Sequence, residues 1–119
     1  MLPTLNKNQK GIRIVKTQSD KDHPYSIINA AAMKEAMKTL RPNAFKLWCY
    51  LTCNQDGYEL GLSKEDVTNK CNMGRNTYYT AVNELIEKNY LVKFELYPNL
   101  WGYLFLEKRE PELINFLKD

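Results

Sequence analysis

A chain of 119 residues is the length of one domain, able to bury a single hydrophobic core and too short for two independent ones. Its hydrophobic fraction of 44% and charged fraction of 26%, with an aromatic share of 12%, exclude a disordered chain, and no apolar run approaches the roughly 18 residues of a membrane span. A net charge of +3 is too small to establish a polyanionic partner by itself, so the charge has to be read by position.

Lys7, Lys10, Arg13 and Lys16 are uninterrupted by any acid before Asp20, so residues 1–24 read as a locally basic N-terminal arm. Within it Ile12 and Ile14, with Val15, alternate as a short strand would. The opening residues lack the apolar core of a secretory signal, and the chain is expected to stay in the cytoplasm. Three cysteines cannot all pair within one chain, and Cys49 and Cys53 lack the second pair of ligands that a structural zinc site needs. Reduced, packed thiols are the expectation.

Residues 25–110 carry the pattern of a folded domain. After a short extended piece at Tyr25 to Ile28, a first helix is expected over residues 30–40, with Met33, Ala36, Met37 and Leu40 inward. Pro42 suits the first turn of a second helix, where its missing N–H is no loss, and Ala44, Leu47, Trp48 and Leu51 form that helix's core stripe. Cys49, Tyr50 and Cys53 fall off the stripe, which implies that this helix is covered on more than one side.

A loop at 54–61 leads to Leu62-Ser63-Lys64-Glu65-Asp66-Val67, a helix start in which Ser63 caps, Asp66 answers the Ser63 N–H and Leu62 staples onto Val67. Asn72-Met73-Gly74 is a break short enough only for a tight turn between helices. From Arg75 the helical pattern resumes with Tyr78, Ala81, Val82 and Leu85 inward, and stops at Asn89, which tolerates the left-handed backbone of a helix end. Two extended runs, 91–96 and 101–107, flank Pro98-Asn99 and read as a β-hairpin, and residues 111–119 as a short C-terminal helix.

This order, a short capped helix, a three-residue turn, a second helix and a hairpin, is that of a winged helix-turn-helix, an α+β, mainly α fold. On the second helix of the pair Asn76, Tyr79, Thr80 and Asn83 share one stripe, opposite the inward residues. Solvated helix faces favour Lys and Glu, whereas amides and hydroxyls are groups with which base edges are read. Arg75, Asn76, Tyr79, Thr80 and Asn83 are therefore the candidate base contacts, and Lys7, Lys10, Arg13, Lys93, Lys108 and Arg109 the candidate phosphate contacts.

RPNAFKLWCYL, LSKEDVTNKCNMGRNTYYTAVNELIEKNYL and WGYLFLE carry a resemblance of the stretch from Leu40 to Phe105 to the winged-helix domains of phage and plasmid proteins of low-GC Gram-positive bacteria, plasmid replication initiators among them. Such domains usually carry Ser or Thr where Arg41 stands, Gly where Asn89 stands, and a basic residue at the wing tip, where this chain has Tyr97-Pro98-Asn99-Leu100. The resemblance implies a sequence-specific double-stranded DNA-binding protein that regulates transcription, replication or partition of a phage or plasmid, with a replication or transcription protein as further partner; a homodimer is expected because one recognition helix rarely suffices for a specific site. The rival reading is a winged-helix module that docks a protein through its hairpin and N-terminal helix without binding DNA. It rests on Trp101, Tyr103 and Phe105 along one strand face and Leu100, Leu104 and Leu106 along the other. A lone His23, no nucleophile triad spacing and no phosphate-cradling glycine loop give no expectation of an enzyme, a metal or a cofactor.

Overall fold

The computed structural model describes residues 4, 6–98 and 100–109. Asn99 and the expected C-terminal helix over 111–119 lie outside the described residues. Four helices come first, α1 (Ala30–Thr39), α2 (Pro42–Thr52), α3 (Lys64–Lys70) and α4 (Arg75–Glu87), followed by an antiparallel hairpin of β1 (Leu91–Tyr97) and β2 (Leu100–Phe105). The fold is a winged helix-turn-helix.

Residues 9–19 adopt no regular structure, and Ile12, Ile14 and Val15 are exposed. The strand suggested by their alternation does not form, nor does the extended piece at Tyr25 to Ile28 join a sheet, because the hairpin pairs only its own two strands. A strand without a partner leaves its backbone donors and acceptors to water and gains nothing over coil. The arm is instead tied down at its base. Ser26 Oγ donates to the Cys53 carbonyl at 2.8 Å, and Asn29 N–H donates to the Glu107 carboxylate at 3.3 Å.

Asn29 also caps α1, its side-chain oxygen accepting from Ala32 N–H at 2.9 Å. The buried face of α1 is Ala32, Ala36 and Leu40, with Met33 at its border, while Met37 is 53% exposed. The stripe is thus rotated from the one expected through Met33 and Met37, with the two alanines, one turn apart, at its centre.

α2 is the central helix. Ala44, Leu47, Trp48 and Leu51 are buried as expected, and the Trp48 ring is stacked by Phe45 at 5.6 Å and met edge-on by Phe105 of β2 at 6.5 Å. A buried indole N–H needs an acceptor, and Trp48 Nε1 donates to the Glu107 carbonyl at 3.1 Å. The Glu107 carboxylate accepts from the Thr52 hydroxyl, so the segment after β2 is fastened to the end of α2. Arg109 closes the same seam: it pairs with Glu35 of α1 at 2.8 Å and lies over the Tyr90 ring at 5.2 Å.

The two sharp changes of direction around α4 use asparagine. Asn72 (φ 52) ends α3, with Met73 N–H donating to the Thr68 carbonyl at 3.1 Å, and Asn89 (φ 69) ends α4, with Tyr90 N–H donating to Leu85 at 2.8 Å. Each is the left-handed residue of a helix C-terminus that satisfies orphan carbonyls. Met73 and Tyr90 then plunge into the core, and Leu106 N–H donates to the Tyr90 carbonyl at 2.8 Å, which seats the hairpin against the end of α4.

At the start of α3 Asp66 N–H donates to Ser63 Oγ at 3.2 Å, and Leu62 and Val67 both pack on the core. The Asp66 carboxylate, however, does not return to Ser63. It accepts from the Tyr50 hydroxyl of α2 and pairs with Lys70 at 3.3 Å, so the residue expected to complete a local capping box joins α3 to α2 instead. This bond, with burial, pushes the Tyr50 phenol from 10.0 up to about 12; the same bond, aided by Lys70 and opposed by burial, holds the Asp66 carboxyl below the usual carboxylate range.

Replacing Ser63 with Ala should lower stability by about 0.5 to 2 kcal/mol, read as a shift in the denaturant midpoint at constant slope. Tyr50 has a raised folded pKa, so its contribution is complete below pH 10 and should be lost as pH rises from 10 to about 12. Asp66, with a depressed pKa, contributes above 3.8 and should lose its share below it. Denaturation midpoints across pH should therefore fall at both ends, and Tyr50→Phe should remove the alkaline fall that this phenol causes.

Candidate nucleic-acid interface

α4 divides along its length and around its girth. Inward, Tyr78, Ala81 and Leu85 are buried against α2, α3 and the hairpin. Full burial of a side chain the size of Leu85 is worth about 1.5–3 kcal/mol, so the helix cannot roll without losing more than any single surface contact returns. Its C-terminal half is also held by polar bonds. The Glu84 carboxylate accepts from Arg41 N–H at 2.7 Å, and Lys88 Nζ donates to the Thr39 carbonyl at 3.1 Å. Arg41 makes no side-chain cap, and Glu84 accepts from across the fold the Arg41 N–H that a capping-box Glu or Gln in the first turn of α2 would have taken locally.

Outward, Arg75, Asn76, Tyr79, Thr80 and Asn83 are all exposed, so the five residues singled out from the sequence stand together on one face of one helix. The first turn of α4 contains no acid, and its N-cap, Gly74, has no side chain to cap its leading N–H groups. That end of the helix carries the positive pole of its dipole toward solvent. Sequence reasoning passed over this feature, although a glycine before an acid-free first turn was its signal.

Within the face, Thr80 Oγ1 donates to the Asn76 carbonyl at 3.0 Å, which leaves the hydroxyl oxygen free to accept a further bond. The Tyr79 ring meets Tyr78 edge to face at 5.3 Å, and the Arg75 guanidinium carbon lies 5.9 Å from the centre of the Tyr79 ring. No acidic residue occurs between Arg75 and Asn83.

Other charges are distributed unevenly. Lys7, Lys10 and Arg13 are exposed along the arm, Lys93 is exposed on β1 and Lys108 just beyond β2. Arg109 differs from these: its pairing with Glu35 and its seat over Tyr90 make it part of the seam between α1 and the hairpin rather than a side chain offered to phosphate. On α3, Lys64 and Lys70 face Glu65 and Asp66 at 3.4 and 3.3 Å, so this helix is close to self-neutralised. His23 sits in an exposed turn, its Nδ1 3.0 Å from Asp20 Oδ1, and that bond holds the Asp20 carboxyl below its ordinary pKa.

The apolar hairpin behind the rival reading is partly accounted for. Phe105 packs on Trp48, Leu104 and Leu106 are half-buried, and Tyr103 is exposed; the side chains of Leu100 and Trp101 lie outside the described ones. The flank of α2 is less covered than expected. Phe45, Cys49 and Tyr50 are half-buried, Cys53 is exposed, and with Lys46, Lys70 and Cys71 they border an open groove. All three cysteines are free thiols. Among the described residues no cluster of His, Cys, Asp and Glu is placed to hold a metal ion, and no helix is long and apolar enough to cross a membrane.

Residues 38–91 match a family model described as a helix-turn-helix domain. The match runs from the end of α1 through α4 to the first residue of β1, and so contains the whole exposed face of α4. No curated protein and no solved structure matches the chain.

Burial raises the Cys49 thiol, with further contributions from Cys53 and Cys71, and burial likewise raises Cys71. Native-state labelling with a small disulfide reagent near pH 8 should accordingly modify Cys53 first and Cys49 and Cys71 later, whereas all three should react together in denaturant.

Proposed function

We propose, from the helix-turn-helix domain at residues 38–91, that the chain binds double-stranded DNA sequence-specifically, with α4 laid in the major groove. One observation carries this reading: α4 turns a continuous, exposed, acid-free stripe of Arg75, Asn76, Tyr79, Thr80 and Asn83 outward while its other side is locked into the core. Amides pair bidentately with adenine, a threonine methyl suits a thymine methyl, and an arginine reads guanine or holds a phosphate. Cations on the arm, Lys7, Lys10 and Arg13, together with Lys93 and Lys108 by the wing, serve the backbone. Their pull is without sequence preference.

The narrower role, regulation of transcription, replication or partition of a phage or plasmid, is supported by the resemblance of residues 40–105 to winged-helix domains of such elements. A homodimer fits the same reading, because one recognition helix seldom gives a specific site enough affinity.

Base readers and phosphate holders should fail differently. Asn83→Ala and Asn76→Ala should each cost about 1–3 kcal/mol on a selected duplex and leave binding to random duplex nearly unchanged. Lys10→Ala should weaken all duplexes alike and make the logarithmic salt slope shallower by roughly one. Fluorescence anisotropy on labelled duplexes between 50 and about 200 mM salt reads both quantities. Folded Asn variants that bind like wild type, together with a flat salt dependence, would transfer the function to protein docking.

A further inference from the structure

Resting on the DNA-binding reading above, we propose that Tyr79 is a positioning residue for the Arg75 guanidinium, and that the pair commits the first turn of α4 to one guanine of the target. Tyr79 lies one helical turn after Arg75, so the two side chains rise from the same row of the helix. The guanidinium carbon stands 5.9 Å from the centre of the Tyr79 ring, within the range of a cation–π contact. Behind it, Tyr79 meets Tyr78 at 5.3 Å with the ring planes 69° apart, an edge-to-face contact. Tyr78 is buried and fixed by the core, whereas Tyr79 is 46% exposed. A rigid interior ring thus braces a surface ring, and the surface ring in turn restrains an otherwise flexible arginine.

This arrangement distinguishes a base contact from a phosphate contact. A phosphate needs only positive charge nearby, and lysine serves as well there. Guanine presents O6 and N7 side by side, and two N–H donors of one guanidinium match them only when its plane is oriented. An aromatic ring that engages the face of the guanidinium leaves its in-plane donors available, and it removes in advance part of the rotamer freedom that binding would have to freeze. The place on the helix agrees. In helix-turn-helix complexes the N-terminal residues of the recognition helix are those that reach base edges, and Arg75 is the first residue of α4. The role assigned to Tyr79 needs its ring and not its hydroxyl, which separates it from a direct reader.

The test uses the full chain and duplexes selected by it from a random library, with each base pair of the selected site then replaced in turn. Arg75→Ala should flatten the preference at one guanine position by about tenfold or more. Tyr79→Phe should keep that preference, Tyr79→Leu should lose most of it at the same position and leave the other positions unchanged, and the double variant Arg75→Ala, Tyr79→Leu should be no worse than Arg75→Ala. Thermal melts of the free proteins check that every variant is folded. The proposal is overturned if Tyr79→Phe loses as much as Tyr79→Leu, or if the Tyr79 loss falls on a base other than the one Arg75 governs, since either result makes Tyr79 a reader in its own right. A chain that enriches no sequence and binds no duplex would overturn the DNA-binding reading itself and this proposal with it.

Discussion

The indole of Trp48 is the point on which the other contacts depend. It is fully buried, so its N–H must find an acceptor inside the protein, and the only chain that reaches it among the described residues is the segment leaving β2 at Glu107. That single requirement fixes where the hairpin must end. Once Glu107 is there, its carboxylate lies within reach of the Thr52 hydroxyl and of Asn29 N–H, and the base of the arm, the end of α2 and the end of the wing are joined at one place. Arg109, two residues on, extends the seam to Glu35 and Tyr90.

From this seam the position of α4 follows. β1 is held because β2 is held, and Tyr90, between α4 and β1, is drawn into the core by the left-handed turn at Asn89. The C-terminal half of α4 is fastened through Glu84 and Lys88 to the junction of α1 and α2. Structural duty is thereby concentrated on the inner face and the last turns of α4. Its first two turns can therefore present side chains outward without any of them being needed to keep the helix in place, which is the condition for precise recognition from a rigid element.

The arm answers to a different constraint. Its apolar side chains, Ile12, Ile14, Val15, Tyr25 and Ile27, are exposed among the described residues, and its cations have no acids close in sequence until Asp20. Fixed at Ser26 and Asn29 and without regular structure over residues 9–19, it adds charge to the domain without contributing to the core.

Sequence by itself determined the elements whose signals are local. Pro42 at a first turn, Ser63 before an acidic first turn, Asn89 at a helix end and Pro98 in the hairpin turn each act within a few residues, and the helix, turn, helix and hairpin stand where those signals put them. The exposed stripe on α4 was legible for the same reason, since helical periodicity alone sets which residues share a face. What only the tertiary structure decided depends on partners distant in the chain. No local rule joins Trp48 to Glu107, Arg41 to Glu84, Tyr50 to Asp66 or Arg109 to Glu35, and these bonds make Asp66, expected as a local cap partner, a link between two helices and tie Arg109 to α1. The alternation at Ile12 and Ile14 came to nothing because a strand exists only where another strand accepts it, and α1 turned Ala32 and Ala36 rather than Met37 into the core, a choice set by packing against the rest of the fold.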